Sequence, residues 1–157
     1  MSPSEELATF FAKYDPAIVR TAKRAIARVR KLVPGAIELV YDNYNALVVG
    51  FGASEKMADI VCSIALYPKW VTLFFLKGKK LKDPEKRLAG NGATVRSVRL
   101  ADERTLDEPA VKRLFAQALA LTPVPKQARR MVIRSVSAKQ RPRRPRARAT
   151  SRGRSTK

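Results

Sequence analysis

Apolar positions along this chain change period twice. Leu7, Phe10, Phe11 and Tyr14 recur at helical spacing behind Ser2-Pro3-Ser4-Glu5, a helix start in which Ser2 caps, Pro3 occupies the first turn and Glu5 closes a capping box. Asp15-Pro16 restarts the chain, with Asp15 as cap and Pro16 at the first helical position. Beyond it, Ile18, Ala22, Ile26, Val29 and Val33 fall within an arc of about 80° at 100° per residue, and Pro34-Gly35 stops the helix. Arg20, Arg24 and Lys31 point the opposite way, with Lys23, Arg28 and Arg30 on the flanks, so the wet face of this second helix is a cationic strip.

The period then shortens. Ile37–Tyr41, Ala46–Phe51, Ile60–Tyr67, Trp70–Leu76 and Thr94–Leu100 are short runs rich in β-branched and aromatic residues. The turn clusters Asp42–Asn45, Pro68-Lys69 and Asn91-Gly92 lie between them. In the fourth run Val71, Leu73 and Phe75 alternate with Thr72, Phe74 and Leu76, apolar on nearly both faces, which predicts a central strand. Asp83-Pro84 offers a cap for one further turn of helix, closed by Gly90. Leu106-Asp107-Glu108-Pro109 opens a last helix with Val111, Leu114, Phe115, Ala118 and Leu119 as its stripe, and Thr122–Pro125 is a stiff exit. The order predicts an α+β fold, a two-layer sandwich. In it an antiparallel sheet of about five strands is covered by the N- and C-terminal helices.

Charge changes this picture at one end. Of 33 Lys and Arg, thirteen fall in residues 126–157, where there is no Asp or Glu, leaving residues 1–125 at about +7 of the formal +20. From Arg141 onward there is no aromatic or large aliphatic residue to offset the entropy of ordering. The division expected is therefore a folded domain over 1–125 and a disordered basic tail over 126–157. Within that tail, Arg129–Val136 offers a short segment that could order. A polycation calls for a polyanion, and nucleic acid, DNA above all, bound without sequence preference, is the partner expected. The cations expected to carry it are Arg141, Arg143, Arg144, Arg146, Arg148, Arg152 and Arg154 in the tail, with Arg20, Arg24 and Lys31 on the helix. Arg152-Gly153-Arg154 matches the centre of a minor-groove motif, but Ser151 and Ser155 stand where its prolines belong.

The rest of the chemistry is narrowed by absence. There is no histidine, which excludes Ser-His-Asp triads, Cys-His nucleophiles and His-ligated zinc. Cys62 is the single cysteine, so no intrachain disulfide forms and a cytoplasmic setting is expected. The N-terminus lacks a signal-type apolar stretch and no run approaches a membrane span, so no membrane partner is expected. The glycine pairs Gly50/Gly52 and Gly90/Gly92 lack the context of a nucleotide loop and read as turn or strand-end positions. Glu38 and Asp42, four apart on one side of a strand, either bind a hard cation or serve in acid–base work, or else Asp42 caps its turn and Glu38 is solvated or ion-paired. Tyr41, Asp42, Tyr44 and Trp70 form a candidate ligand pocket, or else the aromatics close the end of a small core. No catalytic residue, cofactor or resident metal is assigned, and no small-molecule ligand is named. The function expected is non-enzymatic.

Three spaced strings carry a resemblance: Val33–Gly52 with Leu39-Val-Tyr-Asp-Asn-Tyr-Asn-Ala-Leu47 at its heart, Ser63–Gly78, and Gly90–Arg96. Together they resemble the YdhG-like bacterial domains of unknown function, over about residues 4–120. The resemblance implies an α/β sandwich related to the frataxin-like fold. Some relatives of that fold are iron chaperones with an acidic ridge on the first helix and an adjacent strand, which makes a small-ligand or iron-binding domain the alternative function. This chain departs from that ridge: only Glu5, Glu6, Asp15, Glu38 and Asp42 could contribute, and its long helix is cationic.

Overall fold

A computed structural model describes residues 1–145 of the chain. Helix α1 (Pro3–Phe11) begins with the expected capping box: Ser2 Oγ accepts from the Glu5 N–H at 3.1 Å, and the Glu5 carboxylate accepts from the Ser2 N–H at 2.8 Å. Helix α2 (Pro16–Leu32) has Asp15 at the cap position, yet the side chain makes no capping bond. Its carboxylate instead faces Arg144 at 3.1 Å. A guanidinium neutralises it more fully than a backbone N–H would. Gly35, at φ +84°, ends the second helix in the left-handed region. A Cβ there would lie 2.8 Å from the Pro125 carbonyl oxygen, so the glycine also lets the returning chain pass.

Five strands follow the predicted runs closely: β1 (Ile37–Asp42), β2 (Leu47–Gly52), β3 (Ile60–Leu66), β4 (Val71–Phe75) and β5 (Arg96–Leu100). They form an antiparallel meander, each paired with the next. The predicted helical turn after Asp83-Pro84 is a simple turn. There the Asp83 carboxylate accepts from the Arg87 and Leu88 N–H groups at 2.8 and 2.9 Å, which holds the loop without helix. Helix α3 (Pro109–Leu121) leads to a sixth strand, β6 (Met131–Val136). The sheet order is β5-β4-β3-β2-β1-β6, with β6 parallel to β1.

This sixth strand corrects the expected division of the chain. The boundary at residue 125 cuts through a folded unit, because residues 126–145 carry a strand and ordered contacts as far as Arg144. The antiparallel sheet becomes a mixed one. Met131, Val132 and Ile133 supply the apolar residues that the tail's composition hides, and the bare edge of β1 supplies the backbone partners. The register shifts between Val40 and Tyr41, skipping Arg134, whose guanidinium reaches Glu55 at 3.1 Å.

All three helices contribute to one continuous core on one face of the sheet, with Phe10, Ile26, Val29, Val40, Leu73, Phe75, Leu114 and Phe115 buried within it. Phe75 and Phe115 meet edge to face at 5.0 Å. A smaller cluster of Ile37, Leu39 and Ile60, with Tyr41, Leu76 and Val132 packed on it, contains no helical residue. Among the described residues no helix is long and apolar enough to cross a membrane.

Candidate functional site

β1 presents Glu38, Val40 and Asp42 toward the helices, and both carboxylates are fully buried, at 0 % exposure. Neither is free. Arg30 of α2 grips Glu38 with two hydrogen bonds of 2.8 Å, and Arg129 adds a third at 3.2 Å. The bonds to Glu38 raise the Arg30 guanidinium above its ordinary value. Asp42 receives Arg143 at 2.9 Å on one oxygen and Lys13 at 3.3 Å on the other. Glu38 is thus ion-paired, one of its expected alternatives, whereas Asp42 does not cap its turn: its carboxylate is taken up by Arg143 and Lys13 instead. A metal ion would have to displace guanidinium groups already in bonding geometry.

Arg143 is itself buried, at 5 % exposure. Its guanidinium also donates to the carbonyls of Asn43 and Tyr44 and lies 5.7 Å from the centroid of the Tyr14 ring. Around it the chain from Ser137 to Arg144 wraps the β1–β2 turn. Ser137 N–H and Gln140 Nε2 donate to the Asp42 carbonyl, and Arg141 N–H donates to that of Tyr44. The Tyr14 hydroxyl completes the inner wall. It accepts from Leu47 N–H and donates to the Leu66 carbonyl, both at 3.1 Å, bridging a paired position of β2 and β3. Burial pushes its phenol up to about 12, partly opposed by Arg143. Arg143 therefore leaves the list of phosphate-binding cations expected from the sequence: its partner is Asp42, 101 residues away.

The expected pocket of Tyr41, Asp42, Tyr44 and Trp70 is not one place. Tyr41 lies on the opposite face of β1, packed on the smaller cluster, while Asp42 is sealed beneath the arm, the described chain over residues 126–145. Tyr44 stands at the turn, 48 % exposed, with the Arg141 guanidinium 5.8 Å from its ring centroid. Trp70 lines a cleft of about 740 Å³ between the β3–β4 turn and the arm, shared with Tyr67, Lys69, Arg141, Arg144 and Pro145. Tyr67 and Trp70 meet at 5.8 Å, and burial raises the Tyr67 phenol above its ordinary value. Arg99 of β5 lies over Trp70, 4.2 Å from the ring centroid. Tyr67 belongs to the aromatics that the sequence sets at strand ends and turns, whereas Arg99 and Lys69 escape sequence reading. The signal lay in the β4–β5 register, which sets Arg99 opposite Thr72 and so beside the turn.

On α2, Arg20, Arg24 and Lys31 are exposed, as expected, and no carboxylate pairs with them among the described residues. Their flanking neighbours are engaged: Arg28 with Asp107 at 2.6 Å, Arg30 with Glu38, and Lys23 over the Phe11 ring. In the arm, Arg141 is exposed, while Arg144 pairs with Asp15 and donates to the Lys13 carbonyl. Arg146, Arg148, Arg152 and Arg154 lie outside the described residues. Cys62 is fully buried, and burial raises its thiol far above the usual range, so it is held as a neutral core residue.

No family model, curated protein or solved structure matches the chain.

Proposed function

We propose that this is a non-enzymatic nucleic-acid-associated protein that neutralises backbone phosphates without sequence preference. The observation that carries the reading is how charge is sorted on the surface. Arginines neutralise most of the carboxylates, while Arg20, Lys69 and Arg141 have no carboxylate partner among the described residues. Lys69 and Arg141 line one cleft and Arg20 a neighbouring depression, and Arg144, itself paired with Asp15, borders both. Past Pro145 the sequence adds Arg146, Arg148, Arg152 and Arg154 with no acidic residue. A surface of this kind gains affinity by releasing counterions. The YdhG-like assignment and an intracellular setting belong to the same proposal, supported by the three sequence strings and by the single buried thiol. The alternative, a metal- or iron-binding domain, is disfavoured by the guanidinium groups that already occupy Glu38 and Asp42.

The test is fluorescence anisotropy of labelled duplex DNA with the full chain at rising salt. Neutralising about eight phosphates would cost about four decades of affinity between 50 and 200 mM. Replacing Arg146, Arg148, Arg152 and Arg154 together by Gln in the full chain should remove detectable binding at about 150 mM salt. These replacements leave the clasp around Asp42 in place, as a cut at residue 125 would not. Salt-independent affinity, or no binding at low salt, would overturn the reading.

A further inference from the structure

We infer that the cleft beside Trp70 is a binding site for unpaired bases, so that the protein holds single-stranded nucleic acid in preference to duplex. The inference rests on the nucleic-acid reading above and names the form of the ligand. Three features of the cleft support it. Trp70 is 36 % exposed and sits on a tight turn in which the Tyr67 N–H donates to the Trp70 carbonyl at 2.9 Å, so the ring is presented by rigid backbone. The indole borders two clefts. Arg99 lines one, with Ile18 and Thr21 of α2, and is missing from the lining of the other, which Tyr67, Lys69, Arg141 and Arg144 share. Arg99 thus lies against the ring at 4.2 Å from the side of the smaller cleft, while Trp70 and Tyr67, 5.8 Å apart and tilted by 35°, together border the larger one. Its volume, about 740 Å³, exceeds what one base needs and accommodates a short run.

Cations stand where the backbone of such a strand would lie. Lys69 and Arg141 are exposed at the rim and have no carboxylate partner among the described residues. Aromatic platform and flanking cations together are the chemistry by which single strands are held: every base has a face to stack, and the phosphates follow the positive rim. In a duplex the bases face one another and cannot reach the indole. The interleaving of aromatic and basic residues that single-strand binders show is absent along the chain and is assembled here from β3–β4, β5 and the arm.

Trp70 is the sole tryptophan, so its emission reports on the surroundings of this indole alone. The full chain is titrated with oligothymidylate, a blunt duplex of equal charge, inorganic polyphosphate and thymidine monophosphate, reading tryptophan emission beside anisotropy of labelled strands. Saturable quenching by oligothymidylate is expected, with little from duplex or polyphosphate although both compete for the protein. Trp70→Ala should weaken single-strand binding about tenfold and leave duplex binding within about twofold, which also shows the variant folded. Trp70→Phe should recover most of the loss. Strand and duplex binding with unchanged emission and no effect of Trp70→Ala would overturn the inference and leave the nucleic-acid reading standing. Absence of binding by every polyanion at low salt would overturn both. Quenching by the monophosphate equal to that by oligothymidylate would make the cleft a free-nucleotide site and overturn the single-strand assignment.

Discussion

Two stretches of this chain are basic, and they use their charge in opposite ways. In the arm, Arg129, Arg130, Arg134, Arg143 and Arg144 each meet a carboxylate of the body: Glu38, Glu55, Glu55, Asp42 and Asp15 in turn. On α2 the exposed Arg20, Arg24 and Lys31 meet none among the described residues. By composition the arm is the stronger polycation, yet its described part behaves chiefly as a structural ligand for the domain's acids. The helix, with fewer charges, keeps three of them facing solvent. A cation contributes to binding an external anion only when no internal anion already holds it, so a count of arginines overstates the arm and understates the helix.

The sharpest way to break this contrast is Arg143→Ala, which strands Asp42 in the interior with only Lys13 for company. A loss of about 3–5 kcal/mol is expected in urea unfolding, as for a buried pair stripped of one partner. Arg20→Ala with Arg24→Ala and Lys31→Ala should change stability by no more than about 0.5 kcal/mol. The ring beneath the same guanidinium offers the next test. Tyr14 titrates near 12 when folded and near 10 when unfolded. The folded state therefore retains the phenolic proton in that window, and stability present below pH 10 falls as pH rises toward 12, by about 2–3 kcal/mol. Urea midpoints across that range should show the fall in the native chain and a shallower one in Tyr14→Phe. The α2 triple replacement then takes its effect in binding, weakening duplex association by about tenfold. The smallest effect runs the other way. Glu55→Gln frees Arg130 and Arg134, and should raise affinity several-fold and steepen the logarithmic salt slope by about 1–2. An unchanged slope would mean that position, and not neutralisation, keeps those arginines from binding.

The helices and the meander were readable from the chain because their signals are local: Pro3, Pro16 and Pro109 at helix starts, alternation in β4, and turn residues between strands. For β6 the sequence offers only a segment, Arg129–Val136, that could order, and not a strand, because it sits in a stretch whose composition is dominated by arginine and proline. Its partner β1 lies some ninety residues earlier in the chain. Arg143 was misplaced for the same reason, since nothing near it in sequence distinguishes it from Arg141 or Arg144. Arg99 beside Trp70 is not legible in the sequence, because it reaches the indole only through strand register. Asp15 shows the converse error: its local role as a cap was clear in the sequence, and a distant guanidinium outcompeted it.

The parallel pairing of β6 with β1 has a consequence for the order in which the molecule comes into being. During synthesis β1 emerges early and the meander can close around it, yet its outer edge waits until residues 131–136 leave the ribosome. Throughout that interval Glu38 lacks Arg129 and keeps only Arg30, Asp42 lacks Arg143 and keeps only Lys13, and two partly compensated carboxylates sit beside an open strand edge. Inward charge at an edge discourages pairing with a neighbouring chain. The same acids that make the finished interior depend on its last strand would thus guard the unfinished one against joining the wrong sheet.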